Sequence, residues 1–395
     1  MNLVGLYFNL LLAVEPFAGP DPSMPVTPLA PDYYQVQLLP KIAEAKKLVA
    51  KEAVRVKWCS QRMTTVKRIG KKTIRQCKTV RYVCGREHAL AVLNVKTGKI
   101  KILRVGVMNR GEVKEAGGFI ITRLTENGVN SEYKIQDNDW IVVALKTMAG
   151  DPSRRGSFKS AVYVPYSAGL NTPDMRLHGM KYLIKQINLA YATLDKRKVT
   201  SSVHESSDVL ISNLIPSETI LTLLLIEHMD PDEFRSLGAE KMIARVLTTV
   251  GVNGLNAYRF AFSYAGAGGL AQFIPTTYAD ISRRYTKARL HRNFISGMSD
   301  HLNAIMAQVC LADRDVVKLI YASSDRTDEL ENMEVTTCYI AAAYNGGPER
   351  AIRSCLGDSN LRWKEGSGLA SQTVTYVAEF KAVYEYLFSY DDHYE

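Results

Sequence analysis

The residues that could do chemistry stand in three separated patches of the second half of the chain. Glu227 ends a mostly apolar run that begins at Thr219. A glycine-rich turn then carries Gln272, and a later alanine-rich stretch leads into Tyr344 and Asn345. Such a set allows proton transfer by one carboxyl group, while a phenol and two amides hold a polar ligand beside it.

The position of Glu227 predicts an unusual pKa. The apolar run before it indicates a buried helix, and Glu227 would lie near the carboxyl end of that helix. Burial disfavours the charged form of a carboxyl group, and nearby helix carbonyls act in the same direction. A carboxyl group with a pKa near neutral pH can act first as a general acid and then as a general base. An ordinary exposed glutamate at a helix end is the alternative interpretation.

Helices are the elements that would position these residues. From about residue 173 onward, apolar residues recur at the spacing of a helix face. Small polar or acidic residues at suitable places predict the helix starts, and the pair Gly346-Gly347 predicts a break. The predicted helices are 175–194, one capped by Ser217, one capped by Asp300, and the pair 335–345 and 348–356.

The first half of the chain has a different pattern. From Val56 to about Val164, short runs rich in Val, Ile, Thr and Tyr alternate with turn signals, which predicts an antiparallel β domain. Lys96 to Lys99 and Glu126 to Gly128 are typical of hairpin turns. Residues 41–56 favour a short basic helix. The predicted fold class is therefore α+β, with a basic antiparallel β domain followed by an all-α domain.

Three segments are expected along the chain: an apolar, proline-rich arm over 1–40, a basic β-rich domain over 41–170 and a helical domain over 171–395. The run Leu3 to Val14 has the length of the apolar part of an export signal. No basic residue precedes that run and no clean cleavage site follows it. Two interpretations of this run stay open: a degenerate signal or anchor, and an apolar arm that packs on the protein. No stretch is long and apolar enough for a transmembrane helix.

Positive charge is concentrated in one segment. Of 395 residues 46% are hydrophobic and 23% charged, which is typical of a globular protein and excludes bulk disorder. Residues 41–100 hold 17 lysines and arginines against three glutamates. This segment predicts either a solvated sheet face or a surface for an anionic polymer or a protein partner. Nucleic acid is not the expected partner, because no aromatic-interleaved binding motif accompanies the charge.

The cysteine pattern does not indicate a metal site. The close Cys-x-x-Cys pairs of zinc and redox sites are absent from the sequence. Neither a metal nor another cofactor is expected. One disulfide in each of two groups is conceivable in an oxidising compartment, but buried free thiols are favoured. The two groups are Cys59, Cys77 and Cys84, then Cys310, Cys338 and Cys355.

As a set, the motifs resemble the lytic transglycosylase family with the soluble-lytic-transglycosylase (SLT), or goose-lysozyme-like, catalytic domain. The family pattern is an acid followed by a small polar residue, then Gly-Leu-Met-Gln, then Ala-Tyr-Asn-Ala-Gly, and a tyrosine in a terminal helix. The resemblance covers about residues 205–390. The matching segments are Glu227-His228, Gly269-Leu270-Ala271-Gln272, Ala343-Tyr344-Asn345-Gly346-Gly347 and Tyr376, with Asp300 and Asn303 at a helix start.

The resemblance implies a lysozyme-like fold and cleavage of the β-1,4 bond between N-acetylmuramic acid and N-acetylglucosamine. Glu227 would be the catalytic acid, in a reaction that closes a 1,6-anhydro ring and consumes no water. Peptidoglycan strands would be the partner, in the periplasm or cell envelope, or alternatively for a phage virion. Tyr344 would orient Glu227, and the residues expected to bind substrate are Gln272, Tyr344, Asn345, Tyr376, Gly269 and Leu270.

The sequence departs from the family pattern at three places. His228 replaces the usual serine and Ala271 replaces methionine. The stretch between Glu227 and Gly269 is long, and its segment 236–264 is expected to be an inserted helix pair. Glu218 and Glu233 are the alternative acids, with Glu227 favoured by the apolar helix before it. A catalytically degenerate relative, kept as a structural or wall-binding component of a secretion or virion assembly, is the alternative function.

Overall fold

The computed structural model describes residues 36–69, 72–106, 108, 110–124, 130–150, 157–201, 209–263, 266–322, 333–357 and 368–388. Two compact units divide the chain, one holding residues 29–170 and the other residues 171–395. The α+β class is confirmed, with antiparallel strands in the first unit and helices in the second. The predicted turn at Glu126 to Gly128 and almost all of the expected arm lie outside the described residues.

In its described residues the first unit contains one α-helix, nine strands and a short 3-10 helix, Ala168–Leu170. The helix, α1, is Leu38–Val49, so it begins and ends earlier than the predicted basic helix. The strands are β1 Val56–Ile69, β2 Lys72–Arg86, β3 His88–Asn94, β4 Ile100–Val105, β5 Val113–Ala116, β6 Phe119–Arg123, β7 Tyr133–Ile135, β8 Trp140–Gly150 and β9 Phe158–Tyr163.

The strands form three antiparallel sheets. One sheet has the order β4-β3-β8-β9, another has the order β5-β6-β7, and β1 and β2 form a separate two-stranded ribbon. Leu90 and Leu103 from the four-stranded sheet share a core with Phe119 and Ile121 from the three-stranded sheet. The expected hairpin turn at Lys96 to Lys99 is confirmed between β3 and β4, where Gly98 has a φ of +71°.

The cysteine prediction is wrong for the first group and correct for the second. Cys59 and Cys84 form a disulfide, because the pairing of β1 with β2 brings them to the same face of the ribbon. Cys77 is free and exposed. The three cysteines of the second group are buried thiols outside any disulfide, as expected: Cys310, Cys338 and Cys355.

Helices make up most of the described part of the second unit. None of the helices described in the chain is long and apolar enough to cross a membrane. The helices are α2 Pro173–Lys196, α3 Ser217–Ile226, α4 Pro231–Asn253, α5 Pro275–Arg284, α6 Phe294–Ser299, α7 His301–Ala322, α8 Met333–Gly346, α9 Pro348–Gly357 and α10 Ser371–Phe388.

Helix α3 is the central helix of this unit. All eight residues from Thr219 to Ile226 are buried, and α3 contacts α2, α4, α7 and α10. Helices α2 and α4 approach closely because glycine stands at their crossing: a Cβ on Gly179 would overlap the Leu247 carbonyl. A Cβ on Gly251 would likewise overlap the carbonyl of Met175. An apolar helix buried on all sides is the kind of element that can desolvate a residue at its end.

Three predictions about helix boundaries have different outcomes. Asp300 caps α7 as expected, since its Oδ1 accepts a hydrogen bond from the Asn303 amide at 3.4 Å. Ser217 is the first residue of α3 rather than its cap, because Pro216 has the extended conformation of the cap position. The expected break between two helices is confirmed at Gly347, which has a φ of +87°.

Within the segment 236–264, which was expected to be a helix pair, the range of α4 holds the parts of two helical stretches that meet at a kink, and turns follow. Helix α4 has a non-helical residue at Gly238, with a φ of 80° and a ψ of 170°, and its second stretch runs to Asn253. It starts at Pro231, where Asp230 Oδ1 accepts hydrogen bonds from the amides of Asp232 and Glu233 at 3.0 Å. Gly238 therefore separates two helical stretches, and the label α4 is used for both together.

Candidate active site

Glu227 lies immediately after the last residue of α3, as the sequence predicts. Its backbone amide donates a hydrogen bond to the Leu223 carbonyl at 3.2 Å, so the helix geometry holds its position. The residue keeps partial solvent exposure, whereas the eight residues before it are buried. A carboxyl group is thus held at the end of an apolar helix, where it stays accessible to a ligand.

Tyr376 is the direct partner of this carboxyl group. The Tyr376 hydroxyl donates a hydrogen bond to Glu227 Oε1, with an oxygen–oxygen distance of 2.5 Å. Tyr376 lies in α10, which packs against α3. Burial and the neighbouring charge of Glu227 raise the pKa of Tyr376 well above its ordinary value, so the phenol stays protonated and remains a donor.

The environment of Glu227 raises its pKa to about 7. Burial is the larger cause, because it disfavours the carboxylate. The hydrogen bond from Tyr376 acts in the opposite direction, since it stabilises the charged form. A carboxyl group with this pKa exchanges a proton near neutral pH, which is what a group acting as acid and then as base needs.

The turn that follows α4 is built around Gly269. This residue has a φ of +74°, and a Cβ at this position would overlap the Met298 carbonyl. Gln272 closes the turn, because its Nε2 donates to the carbonyls of Gly269 at 2.7 Å and Ala261 at 3.2 Å. Gln272 is itself in the left-handed region, at a φ of 44°, and is partly exposed. Its Oε1 makes no hydrogen bond with the described residues and is available to a ligand.

His228 connects this turn to the end of α3 by a hydrogen bond. Its Nε2 donates a hydrogen bond to the Leu270 carbonyl at 2.8 Å, and its ring stacks on Tyr258 with centroids 3.5 Å apart. Burial lowers the pKa of His228 to about 3, so the ring is neutral. His228 therefore links the end of α3, where Glu227 stands, to the glycine turn.

Tyr344 does not make the contact expected of it. Its hydroxyl donates a hydrogen bond to the Ala271 carbonyl, and the hydroxyl on Glu227 is that of Tyr376. Burial and then the charge of Glu227 raise the pKa of Tyr344 well above its ordinary value, so Tyr344 lies near the carboxyl group. The expectation that Tyr344 orients Glu227 is wrong, because the end of α8 directs its hydroxyl to the turn.

Asn345 lies at the end of α8 beside α10. Its Oδ1 accepts a hydrogen bond from Thr373 Oγ1 at 3.0 Å, and the residue is partly exposed. Helices α8 and α10 approach closely here because Gly346 has no side chain. A Cβ at this position would lie 2.8 Å from the Thr373 hydroxyl. The amide nitrogen of Asn345 can then point to a ligand while the oxygen is held.

Two of the expected substrate-binding residues hold the turn. Leu270 is 1% exposed, and its carbonyl is occupied by His228. Gly269 is buried; its amide donates to the Ala261 carbonyl and its carbonyl accepts from Gln272. These contacts lie within the protein, and substrate binding by the two residues stays a prediction. Tyr376, 8% exposed, likewise contacts the acid rather than open space.

Hydrogen bonds therefore connect the three sequence patches with α10 in one cluster. The end of α3 is bonded to the turn by His228 and to α10 by Tyr376. The turn is bonded to α8 by Tyr344, and α8 is bonded to α10 by Asn345. Residues up to 149 positions apart in the sequence meet around one carboxyl group.

Sequence reasoning missed four residues of this region. Thr373 lies one helical turn before Tyr376, so helical periodicity alone could have found it. Tyr258 follows α4, and nothing in the sequence marks it. The fully buried Gln308 of α7 lies near the Tyr344 hydroxyl, whose pKa it lowers. Glu379 is 5% exposed, and its Oε1 has no hydrogen-bond partner among the described residues.

The three carboxyl groups that follow Glu227 most closely in the sequence are engaged elsewhere. Asp230 caps α4, Asp232 forms an ion pair with Arg235, and Glu233 Oε2 accepts from Arg245 at 2.9 Å. Glu218 lies in the first turn of α3, about 13 Å along the helix from Glu227. Burial, and not a neighbouring charge, is the main cause that raises the pKa of Glu227. This supports Glu227 over the alternative acids.

The sequence matches no known protein-family model and no curated protein.

Proposed function

We propose that this chain is a peptidoglycan lytic transglycosylase with a lysozyme-like SLT domain over residues 171–395. The observation that carries the proposal is Glu227, a single carboxyl group at the end of the buried helix α3, with its pKa raised to about 7 and a phenol hydrogen-bonded to it. The turn with Gln272 and the helix end with Asn345 stand around it, as the resemblance implies.

The reaction needs only one carboxyl group. Protonated Glu227 gives its proton to the oxygen that links the N-acetylmuramic acid to the next sugar, and the bond from C1 to that oxygen breaks. The C6 hydroxyl of the same N-acetylmuramic acid then bonds to C1 and returns its proton to Glu227. The products are a 1,6-anhydro end and a free sugar hydroxyl, and Glu227 is regenerated. Ordinary glycoside hydrolysis uses a pair of carboxyl groups instead.

The partners of Glu227 have distinct roles in this proposal. Tyr376 orients the carboxyl group, and His228 and Tyr344 hold the turn at the correct place. The free Oε1 of Gln272 and the amide nitrogen of Asn345 bind sugar hydroxyl or acetamido groups. The disulfide between Cys59 and Cys84 supports a location in an oxidising compartment, in the cell envelope or outside the cell.

The test is Glu227→Gln, which keeps the size of the side chain and removes the transferable proton. We expect it to abolish release of soluble fragments from purified peptidoglycan, while Glu233→Gln, a substitution at an acid paired with Arg245, keeps the activity. Mass spectrometry of the wild-type products should show muropeptides one water lighter than the hydrolysed forms. Products of full mass would replace the proposal by a lysozyme activity. A folded wild-type chain with no activity would indicate the degenerate structural relative.

A further inference from the structure

The β1–β2 ribbon carries a charge that the proposed reaction does not use. Residues 56–86 hold ten lysines and arginines and no aspartate or glutamate. Among the described strands, β1 and β2 pair only with each other. Since each strand residue adds about 3.3 Å, the 14 residues of β1 give the ribbon a length of about 45 Å.

Strand register places three arginines on one face of the ribbon. Directly opposed residues of an antiparallel pair lie on the same face, and residues two apart in a strand do as well. Arg62 is opposite Thr79, Arg81 is opposite Ser60, and Arg75 is opposite position 66. We call the surface formed by Arg62, Arg75 and Arg81 the arginine face. It extends over about 20 Å, from position 60 to position 66 of β1.

Side-chain contacts agree with this register. The Arg81 guanidinium lies 4.9 Å from the ring centre of Trp58, and Thr64 Oγ1 lies 3.5 Å from Cys77 Sγ across the strands. All three residues of the arginine face are exposed. None of them forms an ion pair with a carboxylate in the described part of the chain.

The opposite face also carries positive charge. Lys78 is exposed there, opposite Met63, and Tyr82 lies on the same face. A flat anionic surface, such as a membrane, can meet only one face of a ribbon at a time. The groove of a nucleic-acid duplex presents phosphates on both of its sides, so cations on both faces of an inserted ribbon can reach them.

We propose that the ribbon is a binding arm for duplex DNA, with the arginine face on the phosphates. Guanidinium groups form strong paired hydrogen bonds with phosphate, and the hydroxyls of Ser60, Thr64 and Thr79 stand between them. The major groove is about 12 Å wide and accepts a two-stranded ribbon, whose strands are about 4.8 Å apart. The interaction is with the backbone, so it is independent of base sequence.

From the sequence, nucleic acid was not the expected partner of the basic segment, because no aromatic-interleaved binding motif accompanies the charge. Strand register now places Trp58 on the arginine face, with Arg81 over its ring. The arm goes beyond the proposed function and does not depend on it.

The experiment measures binding of the full-length chain to a labelled duplex of about 30 base pairs, by fluorescence anisotropy, between about 50 and 200 mM salt. The test variant combines Arg62→Gln, Arg75→Gln and Arg81→Gln. Because each phosphate contact adds about one to the slope of log K against log salt, we expect the slope to fall by about three. At about 100 mM salt, affinity should drop at least tenfold.

The matched control removes three exposed arginines from the other unit, through Arg284→Gln, Arg292→Gln and Arg353→Gln. It changes the net charge equally and should leave the slope unchanged. Equal losses in both variants, or no binding of the duplex by the wild-type chain, would overturn the proposal. It would also be overturned by arginine-dependent binding to vesicles of anionic phospholipid without binding to the duplex. Glycan cleavage is assayed separately, so either proposal can fail without the other.

Discussion

The carboxyl group of Glu227 has two neighbours that act on its charge in opposite directions. The apolar helix before it favours the neutral form, and the Tyr376 hydroxyl favours the carboxylate. The result is a pKa of about 7, from which a proton can leave and return at little cost. At this scale the chemistry depends on the balance between one helix and one phenol.

Removing the phenol should displace the pH profile of cleavage. In the proposed reaction protonated Glu227 acts first, so wild-type kcat/KM should be high below about pH 7 and fall as the pH rises above it. Tyr376→Phe removes the hydrogen bond that lowers the pKa of Glu227. The alkaline limb should therefore move to higher pH, and the maximum rate should decrease by about tenfold or more because the carboxyl group loses its orientation.

The measurement is kcat/KM against pH on a soluble glycan, with Tyr384→Phe as control. Tyr384 lies two turns later in the same helix, where its ring packs between Phe380 and Phe388. Tyr384→Phe should leave the alkaline limb at the wild-type pH and the maximum rate unchanged. A limb that stays in place in Tyr376→Phe, or moves to lower pH, would contradict the role of Tyr376.

The sequence could identify Glu227 but not its partner. The sequence shows a mostly apolar run before an acid, and the apolar composition of that run predicts its burial. Tyr344 and Tyr376 are both phenols of the same cluster, and the sequence does not say which hydroxyl reaches the carboxyl group. That depends on the direction in which α8 and α10 leave the core, which only the packing determines.

At the scale of elements, the glycine turn sets where Gln272 stands. Gly269→Ala would place a Cβ at a φ of +74° and against the Met298 carbonyl, which is backbone and cannot move aside alone. We expect a loss of about 3 kcal/mol or more in the free energy of unfolding. Gly347→Ala has the same unfavourable backbone angle but open space, with the nearest atom 4.0 Å away. It should cost about 1 kcal/mol.

Urea unfolding of both variants separates the two effects. Gly269→Ala combines an unfavourable backbone angle with an overlap, whereas Gly347→Ala has the unfavourable angle alone. The same samples report whether Gly269→Ala loses cleavage under conditions where it is still folded. Equal losses of stability in the two variants would show that the turn yields to a side chain, and that Met298 does not fix its position.

The segment between Glu227 and Gly269 shows why element boundaries are harder to predict than residues. Asp230 before Pro231 and Gly254 after Asn253 are the caps at the outer ends of α4. Between them Gly238 has a φ of 80° and a ψ of 170°, so the backbone is non-helical there and two helical stretches meet at a kink. The buried residues from Met242 onward belong to the second stretch, and α4 packs against α2.

At the scale of the whole molecule, the change of sequence pattern near residue 170 coincides with a division into two compact units. The units meet in the chain at Leu170 and Asn171. Alternating patterns before this point and helical patterns after it made the α+β class predictable. Pairing of β1 with β2 into a separate ribbon was not predictable, because periodicity identifies strands and not their partners.

Every hydrogen bond described around Glu227 lies within residues 171–395, and this leads to the last prediction. The fragment 171–395 should fold and cleave soluble glycan with a kcat/KM within a few-fold of that of the full chain, because Tyr376, His228 and the turn all belong to it. The same fragment with Glu227→Gln is the control and should be inactive. Circular dichroism establishes that both fragments are helical. A helical fragment without activity would mean that the first unit supplies part of the site, in which case the cluster around Glu227 is necessary for the reaction and not sufficient for it.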